Sequence, residues 1–325
     1  MIVIRRYSDC DRMLWNEFNS KAKNRLFMFD RDYMDYHRDR FVDHSLLLYS
    51  DETLVALFPA CEREKTLISH GGLTYGGLLT DCSMKQHTMM DCVEALKEYA
   101  VGHGFNKIVY KTIPYIYHKQ PAEEDRFALF ASGAKLVTVD ASTYVNLRNP
   151  LKMPKGRKAQ ISRAQREGVS VLRLTELKDY KEFIQLENEV LEARHETHAV
   201  HTAEELKLLH DRFPDNIHLF VGIKDGKIIA GTVVFEYENV VHTQYMAAND
   251  EARCIGALDL TVATVMKTYS ESKAWLDFGI STEHNRIYLN EGLISQKEGF
   301  GGRTGVYEIW EMNLLNSEAN SFLPE

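Results

Sequence analysis

HLFVGIKDGKIIAGTVVFEYENVVHTQYMAANDEARCIGALDLTVATVMKTYSESKAWLDFGIS, residues 218–281, decides the fold. His218 to Ile223 and Lys227 to Tyr237 are apolar runs on either side of Lys224-Asp225-Gly226. An Asp-Gly pair between two such runs is a strong signal for a tight hairpin turn. Val240 to Ala247 reads as the next strand. From Ala257 to Ser270 the residues Leu258, Thr261, Val262, Val265, Met266 and Tyr269 recur at intervals of three and four, which predicts an amphipathic helix. Trp275 to Phe278 is again a strand. An antiparallel hairpin, a strand, a long helix and a strand make a mixed α/β unit of the α+β kind, with a mostly antiparallel sheet flanked by helices.

Working outward, the strand breaks at Gly279 into the polar run Ser281-Thr282-Glu283-His284-Asn285-Arg286. A helix and the glycine-rich basic turn Gln296-Lys297-Glu298-Gly299-Phe300-Gly301-Gly302-Arg303 follow. Polar groups gathered where a strand ends are a common way to build a ligand site. Val306 to Met312 is a last strand, and 316–325 reads as a loose tail. Upstream, Val169 to Leu174 is a strand, and Asp179 to Ala193 a helix with Tyr180, Phe183, Ile184 and Leu191 facing inward. Thr202 with Glu205 three residues on predicts a capping box at the start of a second helix.

The first half repeats this order. Leu46–Tyr49 and Leu54–Cys61 form a hairpin around Ser50-Asp51-Glu52, a helix runs from Met84 to Val101, and a strand from Lys107 to Lys111. The hairpin turns at Asp51 and Asp225 and the helix starts at Met84 and Ala257 keep a nearly fixed offset, so an internal duplication is expected. The predicted organisation is a first domain over 1–150, a basic linker helix over 151–168, a second domain over 169–315 and the tail. Phe27–Phe41 and Pro121–Ser132 are expected to be helical, and Leu136–Val139 and Thr143–Leu147 to be separate strands.

Composition narrows the classes. The 325 residues are 44% hydrophobic and 26% charged, enough for two cores. No run approaches the ~20 apolar residues of a membrane span, and the N-terminal run is too short for a signal peptide, so a cytoplasmic location is expected. The five cysteines are scattered without a CxxC pair, which fits thiols in a reducing compartment. A net charge of −8 argues against a dedicated DNA-binding protein. His195, His198 and His201 are three apart but do not form HExxH, so no metal is expected.

Strand, helices, hairpin, strand, long helix and strand is the order of the GNAT acyltransferases. Two such halves carrying GLTYGGL (72–78), IPYIYHKQPAEED (113–125), KGRKAQISRAQREGVSV (155–171), VHTAEEL (200–206), DFGIS (277–281) and QKEGFGG (296–302) resemble the FemAB-like proteins, which are tandem GNAT domains. The resemblance covers nearly the whole chain. It implies transfer of an acyl or aminoacyl group from acyl-CoA or aminoacyl-tRNA, as a co-substrate and not a tightly bound cofactor, onto an amine or hydroxyl. The acceptor it implies is a cell-envelope or polysaccharide precursor, with a nucleotide- or lipid-linked anion among the options.

The resemblance and the residues together mark candidate sites. A GNAT domain binds the donor pyrophosphate at the N-terminus of its long helix, where backbone N–H groups and the helix dipole favour an anion. Here that turn is Arg253-Cys254-Ile255-Gly256-Ala257-Leu258, with Leu258 bulky where the usual pattern is small. Arg253, Gly256 and Ala257, with Met246 on the neighbouring strand, are the donor-site candidates; Tyr245–Ala248 would supply oxyanion N–H groups. Asp81-Cys82-Ser83-Met84 at the same place in the first half lacks such glycines, so that half is expected to bind acceptor or to be structural. Lys297 stands in a turn like the functional lysine turn of FemAB-like proteins, and a cation there would offset developing charge. Asp277, Glu283 and His284 are the base candidates. Tyr75, Gly76, Tyr117, His118, Arg157, Arg163 and His201 are candidates for holding the acceptor, each with a plain structural alternative as a core aromatic, tight turn or solvated charge. An alternative to the enzyme is a degenerate GNAT pair that only binds an envelope precursor or a partner protein.

Overall fold

The computed structural model describes residues 1–195, 197–283 and 286–315. The expected tail, 316–325, lies outside them. The chain divides into two compact units, Met1–Asp140 together with the segment that begins at Val306, and Ala141–Gly305. The expected basic linker is therefore internal to the second unit.

In the first unit, strands Ile2–Arg6, Leu46–Ser50, Thr53–Phe58 and Leu79–Thr80 pair antiparallel in that order. Asp51 sits at the hairpin turn with φ of 53°, the left-handed conformation that a two-residue turn demands. Lys107–Lys111 pairs antiparallel with the C-terminal strand over Ile309 to Asn313 and parallel with Thr66–Ile68. The helix Gln86–Gly102 buries Met89, Cys92, Val93, Leu96 and Ala100, the 3.6-residue stripe read in the sequence. Leu79–Thr80 and Lys107–Lys111 belong to different sheets. The buried Tyr110 phenol accepts from the Leu78 N–H at 2.7 Å and donates to Asp125 at 2.8 Å, so an aromatic side chain fills the gap between these strands.

The second unit keeps the same order with a better-formed sheet. Ser170–Leu174, Ile217–Lys224, Lys227–Glu236 and Val240–Ala248 are successively antiparallel. Asp225, with φ of 50°, and Gly226 make the expected turn, matching Asp51 in the first unit. Trp275–Ile280 then joins in parallel and pairs on its other side with Ser142 to Asn146. Val145, Phe220, Val234, Val241, Val262, Val265, Leu276 and Phe300 form a core between the sheet and the helix Ala257–Tyr269. On the opposite face, Phe183 of the helix Leu177–His195 lies where a Cβ on Gly231 would stand, 2.7 Å away.

Some local expectations differ. Phe27–Phe41 is short 3-10 and helical turns, Phe27–Phe29, Arg31–Met34 and Asp35–His37, because Asp30 caps the middle one at Asp32 N–H and restarts the chain. Pro121 lies outside its helix, Glu124–Ala131. The two strands expected over 136–147 are one, Lys135–Asn146, which carries the chain from one unit to the other. No described helix is long and apolar enough to cross a membrane.

Candidate functional site

The most informative geometry lies where Val240–Ala248 meets Trp275–Ile280. The parallel register covers only Val240 with Trp275, Val241 with Leu276 and His242 with Asp277. Beyond His242 the strands part. On its other side Val240–Ala248 carries a bulge, with Val233 opposite Tyr245 but Val234 opposite Thr243, so Gln244 is the extra residue. A bulge bends and twists its strand, which turns this one away from its parallel neighbour. The result is a wedge with backbone groups of both strands on its sides.

Asp277 closes the narrow end. It is fully buried. Its Oδ1 accepts from Ser142 Oγ and from the Gly279 N–H, both at 2.8 Å. Its Oδ2 lies 3.3 Å from His242 Nδ1. Gly279, with φ of 71°, takes the left-handed turn that lets its own N–H reach back to this carboxylate. Asp277 thus positions the strand end.

Lys297 locks the same strand end from the other side. The helix Glu291–Glu298, capped by Asn290 at the Leu293 N–H, carries it inward until it is 3% exposed. Its Nζ donates to Gly279 O at 2.9 Å, Ile280 O at 2.6 Å and Ser281 Oγ at 2.9 Å, which uses all three ammonium donors. Burial pulls its pKa down to about 8, against the opposing pull of the Asp277 charge. Glu283 is half-buried and accepts from Asn290 Nδ2 at 2.8 Å. His284 lies outside the described residues.

The donor-turn candidates occupy a crowded place. Gly256 ends one helix, Asp250–Ile255, and starts the next with φ of 81°. A Cβ there would stand 2.6 Å from the Gln160 carbonyl oxygen. The basic helix Lys155–Arg166 therefore packs directly over this turn. Ala257 is buried, and Arg253 pairs with Asp250 at 3.2 Å. Met246 and Leu258 are partly buried against the core cluster.

Helix phase sorts the basic residues. Arg157 points inward: it pairs with Asp259, donates to Gln296 O at 2.9 Å and stacks 4.3 Å over the Phe300 ring. Lys155, Lys158, Arg163 and Arg166 are all exposed. At ~100° per residue these four share one outer face.

His201 is buried, with its N–H donating to Tyr245 Oη at 3.2 Å and its Nδ1 2.6 Å from the same oxygen. His198 is exposed. In the first unit, Tyr75 Oη donates to Tyr117 Oη at 2.6 Å and is 2.8 Å from Tyr307 Oη, a buried phenol cluster. A Cβ on Gly76 would strike Ser69 O at 2.3 Å, so close packing requires that glycine. His118 Nε2 lies 3.1 Å from Ile113 O, and burial lowers its pKa to about 4.

Three buried polar residues near the wedge escape sequence reasoning: Ser142, His242 and Glu187. The first two are strand residues with no distinguishing local pattern. Glu187 had a signal, because it falls on the inward stripe with Tyr180, Phe183, Ile184 and Leu191, where a carboxylate is out of place.

Residues 155–285 match the family model described as an acetyltransferase (GNAT) domain. Over the whole chain, the crystal structure of FemX superposes with a TM-score of 0.67 at 11% identity, covering 94% of this chain and 96% of that one. Residues 155–285 thus carry a GNAT domain, within a chain that shares the fold of FemX. A putative lysylphosphatidylglycerol synthetase C-terminal domain from Agrobacterium fabrum shares the fold at TM-score 0.63 and 14% identity, covering 94% of this chain and 92% of that one. A tandem GNAT protein from the clavulanic acid biosynthesis pathway does so at TM-score 0.55 and 11% identity, covering 98% and 100%. No curated protein matches by sequence. The mixed α/β fold is thus shared with these structures, and the residues that match the GNAT acetyltransferase model lie within the second unit.

Proposed function

We propose that this protein is a FemAB-like acyltransferase that moves an aminoacyl or acyl group to an amine or hydroxyl of a cell-envelope or polysaccharide precursor, within the cytoplasm. The observation that carries the reading is the wedge beyond His242 and Asp277, where a strand pair of a GNAT domain stops pairing after three residues. An acyl group placed between the strands meets backbone N–H groups at its carbonyl oxygen, with Tyr245–Ala248 on one side. Such donors are fixed before the reaction and stabilise an oxyanion at no reorganisation cost. Asp277 and Lys297 act as positioning residues that hold Gly279–Ser281 at the wedge.

Two features favour aminoacyl-tRNA over acyl-CoA as donor. Gln160 crowds Gly256, where a pyrophosphate would have to approach the helix N-terminus. The exposed basic face of Lys155, Lys158, Arg163 and Arg166 suits a nucleic-acid backbone, whose affinity is dominated by phosphate contacts. A putative lysylphosphatidylglycerol synthetase among the similar structures is, by its name, concerned with an aminoacylated lipid. The crowded turn also favours a second reading, a GNAT pair that binds an acceptor without catalysis.

Titration with acetyl-CoA, CoA and aminoacyl-tRNA separates these readings. Salt-dependent binding of aminoacyl-tRNA, followed by loss of its ester in the presence of a lipid- or nucleotide-linked acceptor, is expected. Binding of the acceptor with no binding of any donor establishes the non-catalytic reading instead.

A further inference from the structure

Among the described residues of the second unit, Glu187 is the one strongly buried carboxylate apart from Asp277, and its situation is the reverse. Asp277 is surrounded by donors; Glu187 is 6% exposed, and its Oε2 is buried without a hydrogen-bond partner. Leaving such a group unmade costs about 1–3 kcal/mol, so its presence calls for a partner that arrives from outside.

Its place follows from register. Phe183 lies over Gly231, which pairs with Ala247. Glu187 is one helical turn further on the same face, ~6 Å along the axis. Two residues along the sheet, also ~6–7 Å, the pair is Val233 with Tyr245. Glu187 therefore stands over Tyr245, whose phenol feels its charge. The next side chain, Asn188, holds the Ala199 N–H at 2.8 Å, and the same loop brings His201 onto the Tyr245 hydroxyl. Tyr245 itself lies on the diverging part of its strand, beside the wedge. Glu187, Tyr245 and His201 thus form a polar group at the proposed acyl position, with a carboxylate that lacks a cation.

We propose that Glu187 binds the acceptor of the transfer and selects a primary amine, held as its ammonium ion, over a hydroxyl. The inference rests on the acyltransferase reading for its chemistry, but not for its binding site. An ammonium supplies the donors that Oε2 lacks and the positive charge that the buried carboxylate lacks. One N–H proton passes to Glu187, leaving a neutral amine and a carboxylic acid. The nitrogen lone pair then forms the C–N bond to the acyl carbon. The bond from that carbon to the donor's oxygen or sulfur breaks, and the second N–H proton goes to that leaving atom. Burial places the Glu187 pKa at about 7, where it can both hold an ammonium and accept its proton.

The test is titration of the full chain at pH 8 with lysine methyl ester, cadaverine and ethanolamine, each against its N-acetyl or hydroxyl counterpart. The wild type is expected to bind at least one amine tenfold or more above its counterpart. Glu187→Gln, which keeps shape but not charge, is expected to bring that ratio close to one, and Glu187→Asp to leave it intermediate. Thermal melts confirm that each variant is folded. An amine preference that survives in Glu187→Gln, or no preference in the wild type, overturns the proposal. Titration of the same preparations with aminoacyl-tRNA and acetyl-CoA keeps the two readings apart. Donor binding without amine preference sinks only the inference, whereas amine preference without donor binding sinks only the transferase.

Discussion

Lys297 Nζ donates to the carbonyl of Ile280 at 2.6 Å, seventeen residues back along the chain. Together with its bonds to Gly279 O and Ser281 Oγ, this ties the glycine-rich basic turn to the end of the strand that forms the wedge. The lysine reaches the candidate site through the backbone it holds.

That geometry gives a pH signature. The Lys297 pKa in the folded chain is about 8, below the ordinary lysine value of 10.5. The unfolded chain therefore binds more protons between these values, and the lysine's contribution to stability rises with pH. Its burial penalty is fully present below pH 8 and is relieved above it. From pH 7 to pH 9, the stability of wild type relative to Lys297→Met should increase by about 1.4 kcal/mol. Urea unfolding at the two pH values measures it. A constant difference would mean that the ammonium is hydrated instead of buried.

Gly256→Ala tests the crowded turn. The new Cβ combines a φ of 81° with a 2.6 Å approach to the Gln160 carbonyl. Strain of this kind costs about 1–3 kcal/mol, with the overlap in addition. A loss of at least about 2 kcal/mol in stability is expected. If Gly256 were instead open to a pyrophosphate, the substitution would cost donor affinity and leave the melting temperature nearly unchanged.

Arg157 and Arg163 should behave differently although both belong to the basic segment. Arg157→Met strands the half-buried Asp259 and removes a cation from the Phe300 ring, so a stability loss of about 3 kcal/mol is expected. Adding Asp259→Leu should restore much of it. Arg163→Ala, on the exposed face, should leave stability within about 0.5 kcal/mol and weaken aminoacyl-tRNA binding in proportion to one lost phosphate contact. An unchanged salt slope for Arg163→Ala would remove this face from the donor site.

The contrast between those two arginines shows what the sequence carries. The hairpins, the long helices and their repeat were legible because hydrophobic period and turn chemistry are local, as Asp51 and Asp225 illustrate. The inward turn of Arg157 depended on helix phase against Asp259 and Phe300, which are over a hundred residues away. The same limit applies to the C-terminal strand. Val306–Met312 reads as a strand, but nothing local says that it pairs with Lys107–Lys111. Side chains such as Tyr75 and His118 are ambiguous in sequence because phenols and imidazoles serve ligands and cores equally well. Glu187 stands out by its own pattern, a carboxylate on an apolar stripe.

Glu187 therefore makes the most demanding stability prediction. Its folded pKa is about 7, above the ordinary 4.5, because burial disfavours its charge. Between these values the folded chain binds more protons than the unfolded one, so its contribution to stability falls as pH rises and is lowest above pH 7. Glu187→Gln abolishes that loss. The variant's stability relative to wild type should rise by about 2 kcal/mol between pH 5 and pH 8. Unfolding by urea at both pH values reads the difference. A saturating amine should recover part of the loss in wild type alone. If the amine stabilises Glu187→Gln equally, the ammonium is bound elsewhere.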